Sequence, residues 1–148
     1  MRAVIQRVSE AAVDVDGETV GRIGRGLLAL IGVSVHDGDR QADWIADRLL
    51  GLRIFENAEG KFDASVVDVG GGVLVVSQFT LYADTRKGRR PSFSGAAPAA
   101  VAQPLYEHLV AIIAARGVAV AAGRFGAHMA VSLVNDGPVT IVLDSDTA

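Results

Sequence analysis

Ala127-His128-Met129-Ala130-Val131-Ser132-Leu133-Val134-Asn135-Asp136-Gly137-Pro138-Val139-Thr140-Ile141-Val142-Leu143-Asp144 sets two apolar, β-branched runs on either side of a polar break. The pattern predicts a β-hairpin with Asn135-Asp136-Gly137-Pro138 at its tip. Asn, Asp and Gly accept positive φ and so close turns. Pro138 has no N–H and belongs at a tip or an edge. Gly137 escapes the clash that restricts other residues before proline, and the bond joining the two is of the kind that can be cis. A proline-stiffened tip with no side chain on Gly137 exposes bare backbone carbonyls. An ordinary turn has the same composition, so a second feature is needed to give it chemical meaning.

Ser77-Gln78-Phe79-Thr80-Leu81 supplies it. The segment follows the apolar run Val73-Leu74-Val75-Val76, and ligands of α/β sheets gather at such strand ends. Two hydroxyls and an amide fall within four residues. Thr80 as a nucleophile needs a general base, and none is encoded nearby. Backbone N–H groups here could instead hold a developing oxyanion. A plain strand end, its hydroxyls bonded to neighbouring backbone, fits the same residues. Just beyond, Thr85-Arg86-Lys87-Gly88-Arg89-Arg90-Pro91 packs four of the 14 basic residues into five positions with no acid among them. Such a cluster can neutralise phosphates; a solvated loop has the same composition.

Composition narrows the field. At 148 residues, half of them hydrophobic and 21% charged, the whole chain 1–148 is expected to form one globular domain with an aliphatic core. The absence of cysteine excludes disulfides, Cys-ligated metal and thiol catalysis. His36, His108 and His128 show no ligand spacing, so no metal and no cofactor are expected. No phosphate-binding glycine fingerprint and no G-x-S-x-G elbow occur; Gly70-Gly71-Gly72 reads as a tight turn. The opening Met1-Arg2-Ala3-Val4-Ile5-Gln6-Arg7 is too soon charged for a signal peptide, and no apolar run is long enough to span a bilayer. With a net charge of −3, a nucleic acid would have to be met by a local basic patch.

Taken in order, Arg2–Val8, Ala11–Asp16 and Thr19–Ile23 read as extended segments, and Leu27–Val35 as a strand buried on both faces. A helix is expected over Gln41–Leu52, with an Asp N-cap and Ala42, Ile45, Leu49 and Leu52 inward. Arg53–Glu56 is a short strand, and Val73–Gln78 is a buried one continued by Phe79–Tyr82. Ala83–Pro98 is a long loop. A second helix spans Ala99–Arg116, with Val101, Leu105, Leu109 and Ile112 inward and Gly117 at its end. Val118–Ala122 returns as a strand. Two helices among many strands predict a single α/β (α+β) domain with mixed sheets.

The segments Ser77-Gln78-Phe79-Thr80-Leu81 and Asn135-Asp136-Gly137-Pro138-Val139-Thr140 together resemble the two signature motifs of the D-aminoacyl-tRNA deacylases, with matching separation. The N-terminal Met1–Val8, Gly60-Lys61-Phe62 and Gly123-Arg124-Phe125-Gly126-Ala127-His128-Met129 resemble that family as well, so the likeness runs through the whole chain. Pro104 and the alanine-rich Gly95–Ala102 are less typical and lie outside the motifs. The resemblance implies a barrel-like, strand-rich core with two main helices and a homodimeric cytoplasmic enzyme. Its substrates would be D-aminoacyl-tRNA and glycyl-tRNA, whose ester it hydrolyses. It implies catalytic roles for Ser77, Gln78, Phe79 and Thr80, and substrate contacts from Phe125 and Met129. It also implies that Gly137-Pro138, as a Gly-cisPro corner, enters the other subunit's site and rejects L-amino acids. On this reading Arg86, Lys87, Arg89 and Arg90 bind tRNA phosphates. Two rival readings remain at this point: a non-catalytic RNA-binding module using loop 85–91, and a Thr80-dependent hydrolase of small esters.

Overall fold

In the computed structural model, which describes residues 1–147, the first strand, β1, runs unbroken from Arg2 to Val15. The sequence suggested two segments there, because Ser9 and Glu10 interrupt the alternation; both are solvent-exposed, and the strand continues past them. Next come β2 (Glu18–Ile23), β3 (Gly26–Gly32), α1 (Asp39–Gly51), and the small antiparallel pair β4 (Phe55–Glu56) and β5 (Phe62–Ala64). β6 (Gly72–Ser77), a 3-10 turn (Phe79–Tyr82), α2 (Ala99–Ala115), β7 (Ala119–Ala122) and β8 (Ala130–Asp144) complete the main elements.

Both edges of β1 are used. β8 pairs antiparallel along one edge, from Arg2↔Asp144 to Asp14↔Ala130. The other edge pairs with β3 over Arg2–Val8 and with β2 over Ala11–Val15. β6 then adds parallel to β3, and β7 parallel to β6. β2 curls back toward β7 so closely that a methyl on Gly21 would fall 2.6 Å from the Ala122 carbonyl oxygen. The result is a nearly closed, barrel-like mixed sheet with two helices on its outside.

This arrangement explains the unbroken apolar runs in β3 and β6. Leu27, Ala29 and Ile31, with Val73 and Val75, face the helices, while Leu28, Leu74 and Val76 face the barrel interior with Val8, Val13 and Ile23. Strands covered on both faces cannot alternate in polarity.

Four local expectations are corrected. The C-terminal stretch is not a hairpin: β8 is one strand, and both of its apolar runs pair with β1 rather than with each other. Phe79–Tyr82 does not extend β6, because pairing with β3 ends at Ile31↔Ser77 and the chain turns there. No aspartate caps α1. The Asp37 carboxylate is taken by the Met1 ammonium at 2.5 Å and the Ser34 N–H at 2.6 Å. Gly38 is the capping residue, its N–H donating to Gln41 Oε1 at 3.0 Å. On α2 the buried stripe is Ala102, Leu105, Tyr106, Leu109 and Ile113, rotated from the expected one; Val101 is exposed. Gly117, at φ +78°, does end that helix. No helix among the described residues is long and apolar enough to cross a membrane.

Tyr106 causes the rotation. Its phenol reaches through the apolar layer and donates to the Val75 carbonyl of β6 at 2.8 Å. Burial pushes its pKa up to about 12, so the proton needed for the bond stays in place. Replacing Tyr106 by Phe keeps the ring and removes one of two hydrogen bonds to the Val75 carbonyl, which still accepts the Gly123 N–H at 2.9 Å. Urea denaturation should show a loss of about 0.5–1.5 kcal/mol with no change in the slope of the transition.

Candidate active site

Parallel pairing brings the C-terminal ends of β3 and β6 side by side, and a cavity of about 410 Å³ opens there. Ser77, Gln78 and Phe79 form one side of it; Phe125 and Met129, from the segment between β7 and β8, form another. Val33, Ala97 and Ala102 are among its other apolar walls. Phe125 leans on Tyr106, with ring centroids 5.9 Å apart, and Phe79 meets Phe93 edge-on at 5.1 Å.

The turn after β6 has a defined pattern of hydrogen bonds. The Gln78 N–H donates to Ile31 O at 2.7 Å, and the Gln78 carbonyl accepts from Leu81 N–H. Phe79 and Thr80 begin the 3-10 turn, so their N–H groups have no carbonyl within it; among the described residues they find no acceptor elsewhere. The Gln78 side-chain amide donates to the Thr80 hydroxyl. No side-chain base hydrogen-bonds Thr80. The cavity lining includes no carboxylate, lysine or arginine; its single imidazole, His128, is solvent-exposed. Sequence reasoning set His128 aside with the other histidines, although its place two residues from a glycine-rich turn and beside Met129 was the available signal.

The second motif lies elsewhere. Thr140 pairs with Gln6 and Asn135 with Val8, so Asp136, Gly137, Pro138 and Val139 all arch over Arg7. Two side chains brace this arch. The Asn135 carboxamide accepts the Val139 N–H at 3.1 Å and donates to the Thr140 hydroxyl at 3.2 Å. The buried Arg7 guanidinium donates to the Asp136 carbonyl at 2.9 Å and to the Ile54 carbonyl at 2.7 Å, and lies over the Phe62 ring. The Gly137–Pro138 peptide is cis, and both residues are exposed. Gly137 adopts φ +143°, and a methyl there would fall 2.7 Å from Val139 Cγ2, so only glycine fits.

Arg7 pairs with Leu27 at the start of β3, whereas Ser77 pairs with Ile31 toward its end. Four residues of strand, about 13 Å, separate the arch from the cavity floor. Gly137 and Pro138 do not line the cavity of their own chain.

The basic loop adjoins the cavity. An Asp84↔Ser92 bridge closes its neck, and Phe93 and Ala97 lead back to the cavity wall. Arg86 is grasped by both carboxylate oxygens of Asp84, at 2.9 and 2.7 Å, which holds that carboxyl well below the usual range. The cluster itself holds no acid, but Asp84, just outside it, pairs with Arg86 and leaves Lys87, Arg89 and Arg90 as its remaining exposed cations. The described residues bring together no group of three His, Asp or Glu side chains that could hold a metal.

Known proteins resemble this chain over nearly its whole length. The family model described as D-Tyr-tRNA(Tyr) deacylase matches residues 4–144. A D-aminoacyl-tRNA deacylase of Roseiflexus castenholzii is 61% identical over 98% of this chain and 92% of its own length. One from Thermotoga petrophila is 57% identical over 98% and 97%. A solved structure described as the c-Myc DNA unwinding element binding protein superposes with a TM-score of 0.92 at 40% identity, covering 98% of this chain and 99% of the other. The chain belongs to the D-aminoacyl-tRNA deacylase family.

Proposed function

We propose that this chain is a cytoplasmic hydrolase that releases D-amino acids and glycine from tRNA. It would reject L-aminoacyl-tRNA by means of the Gly137-Pro138 corner of a second copy. The observation that carries the reading is the separation within one chain of a braced, exposed backbone corner from an apolar cavity lined by Ser77, Gln78 and Phe79. A corner that cannot serve its own cavity is suited to serve another's, which makes the active form a homodimer.

The chemistry follows from what a chirality filter must touch. A filter indifferent to side-chain identity can contact only Cα and the amino group. Fixed main-chain oxygens at the corner meet the Cβ of an L-residue and exclude it. A D-residue directs its Cβ away, and glycine has none. Discrimination of this kind works by repulsion and leaves the pocket free to accept side chains of many sizes.

Hydrolysis needs a water and a place for the oxyanion. The unpartnered N–H groups of Phe79 and Thr80 would receive the oxyanion. The substrate's own ribose hydroxyl, adjacent to the ester, would orient the water. The Gln78 amide occupies the Thr80 hydroxyl as an acceptor, which suits Thr80 to donating a hydrogen bond rather than attacking carbon. Phe125 and Met129 would exclude bulk water from the ester. Lys87, Arg89 and Arg90 would meet the tRNA backbone. The solved relative described as binding a DNA element favours a second reading, a nucleic-acid-binding protein that uses the basic loop without chemistry.

Release of amino acid from matched D-tyrosyl-, L-tyrosyl- and glycyl-tRNA separates these readings. Fast release from the first and last with L-tyrosyl-tRNA spared is the expected result; binding without release in any arm selects the second reading. Thr80→Ala and His128→Ala should each retain turnover within about tenfold, less than the 10²–10⁴ a side-chain acid or base contributes. A folded but inactive Thr80→Ala would reinstate the covalent route. Neutralising Lys87, Arg89 and Arg90 together should reduce the salt slope of tRNA binding by about 2–3, near one unit per phosphate contact. Arg86→Gln alone should change the slope little.

A further inference from the structure

Arg2 and Gly32 are cross-strand partners at the rim where β1 begins and β3 ends, and the turn Phe79–Tyr82 lies directly on them. Gly32 presents no side chain: a methyl there would fall 3.0 Å from Leu81 Cβ, 3.2 Å from the Gln78 carbonyl oxygen and 3.2 Å from Tyr82 Cδ2. Arg2 holds the far end of the same turn. Its Nη1 donates to the Leu81 carbonyl at 3.2 Å, and its guanidinium lies 4.6 Å from the centre of the Tyr82 ring. Its Nε donates to the Asp144 carboxylate at 2.8 Å, at the last residue of β8.

We propose that Arg2, with Gly32 beneath, is a positioning residue for ester hydrolysis: it fixes the turn that aims the Phe79 and Thr80 N–H groups at the reacting ester. The proposal rests on reading those N–H groups as the oxyanion site. An oxyanion site works only if its donors are fixed before the charge develops. A turn of one 3-10 repeat has little hold on its own geometry, since it carries few internal hydrogen bonds. The contacts with Arg2 tie it to β1 and, through Asp144, to β8. The planar guanidinium can bond a carbonyl and a carboxylate while lying over an aromatic face; an ammonium cannot do all three. Burial opposes ionisation of Asp144, yet the bond from Arg2, the Asp146 N–H and the charges of Arg2 and the chain's N-terminus together outweigh it and keep the carboxyl below its ordinary value, so the link persists at neutral pH. With its donors directed to Leu81 and Asp144, Arg2 is poorly placed to serve as a tRNA phosphate contact.

The test compares wild type, Arg2→Met, Arg2→Lys and Gly32→Ala for kcat and KM on D-tyrosyl-tRNA, with melting temperatures alongside. Arg2→Met is expected to lower kcat on the order of 10²-fold while leaving KM within about twofold, as for a group that acts through geometry alone. Arg2→Met and Arg2→Lys should both keep a melting temperature near that of wild type, Arg2→Lys should not recover kcat, and Gly32→Ala should lose kcat wherever it folds. An Arg2→Met kcat within about threefold of wild type overturns the proposal, as does rescue of kcat by Lys or a rise in KM at constant kcat. A wild-type protein inert on D-tyrosyl-tRNA overturns the deacylase reading itself, and the positioning role with it. The stability control separates the two roles, because a part-exposed ion pair contributes little to folding and its loss alone cannot account for a hundredfold fall in turnover.

Discussion

Strand β1 is hydrogen-bonded along both edges for most of its length, and the rest of the molecule depends on that constraint. β8 fills one edge; β3 and then β2 fill the other. A strand with no free edge cannot slip without breaking two ladders at once, and a shift of one residue would turn every buried side chain outward. The register of β1 therefore fixes where Arg7 meets the arch of β8 and where Arg2 meets the turn after β6. Both family motifs are placed by the same strand, although neither belongs to it.

The barrel-like sheet and its helices divide the remaining work. Because β3 and β6 are buried on both faces, their parallel pairing is rigid, and the irregular chain begins only where the pairing stops at Ile31↔Ser77. Phe79 and Thr80 thus occupy the first positions at which backbone N–H groups are released from the ladder. The cavity beside them is closed by small residues of α2 and its entry, Ala97 and Ala102, and by Phe125 resting on Tyr106. Apolar walls around unpartnered backbone donors give a site in which hydrogen bonds to a developing charge are strong.

Much of this was legible in the sequence. Continuous apolar runs marked β3 and β6, because two-sided burial leaves a compositional trace that does not depend on partners. The helices were visible by period, although Tyr106 shifted the inward stripe of α2 through a hydrogen bond that no hydropathy pattern encodes. The C-terminal stretch misled for a definite reason. Asn-Asp-Gly-Pro between β-branched runs is the composition of a hairpin tip, and local chemistry cannot tell a turn between two strands from an arch within one. The difference lies in β1, more than 120 residues earlier. The Asp84–Arg86 pair is not written in the basic cluster, because its carboxylate lies two residues upstream of the first cation, and the contacts of Arg2 are not legible because a single arginine in an N-terminal strand has no local signature.

The bracing of the arch shows why a charge is buried where an apolar side chain would be simpler. Four residues of β8 pass over one of β1, so the ladder supplies no partners for the Asp136 carbonyl there. An unpaired buried carbonyl costs about 1–3 kcal/mol. Arg7 satisfies it and the Ile54 carbonyl with donors held in one plane, while Asp136, with its carboxylate 3.6 Å from Nε, offsets the cost of burying the guanidinium. A hydrophobic residue would fill the space and leave both oxygens unbonded; a lysine would reach one of them with a flexible stem. The geometry favours a fork, and with the Asn135 carboxamide closing the other side the corner is held from both ends. The proposed rejection by repulsion would need that support, because an arch free to retreat by even a fraction of an ångström would let the Cβ of an L-residue pass.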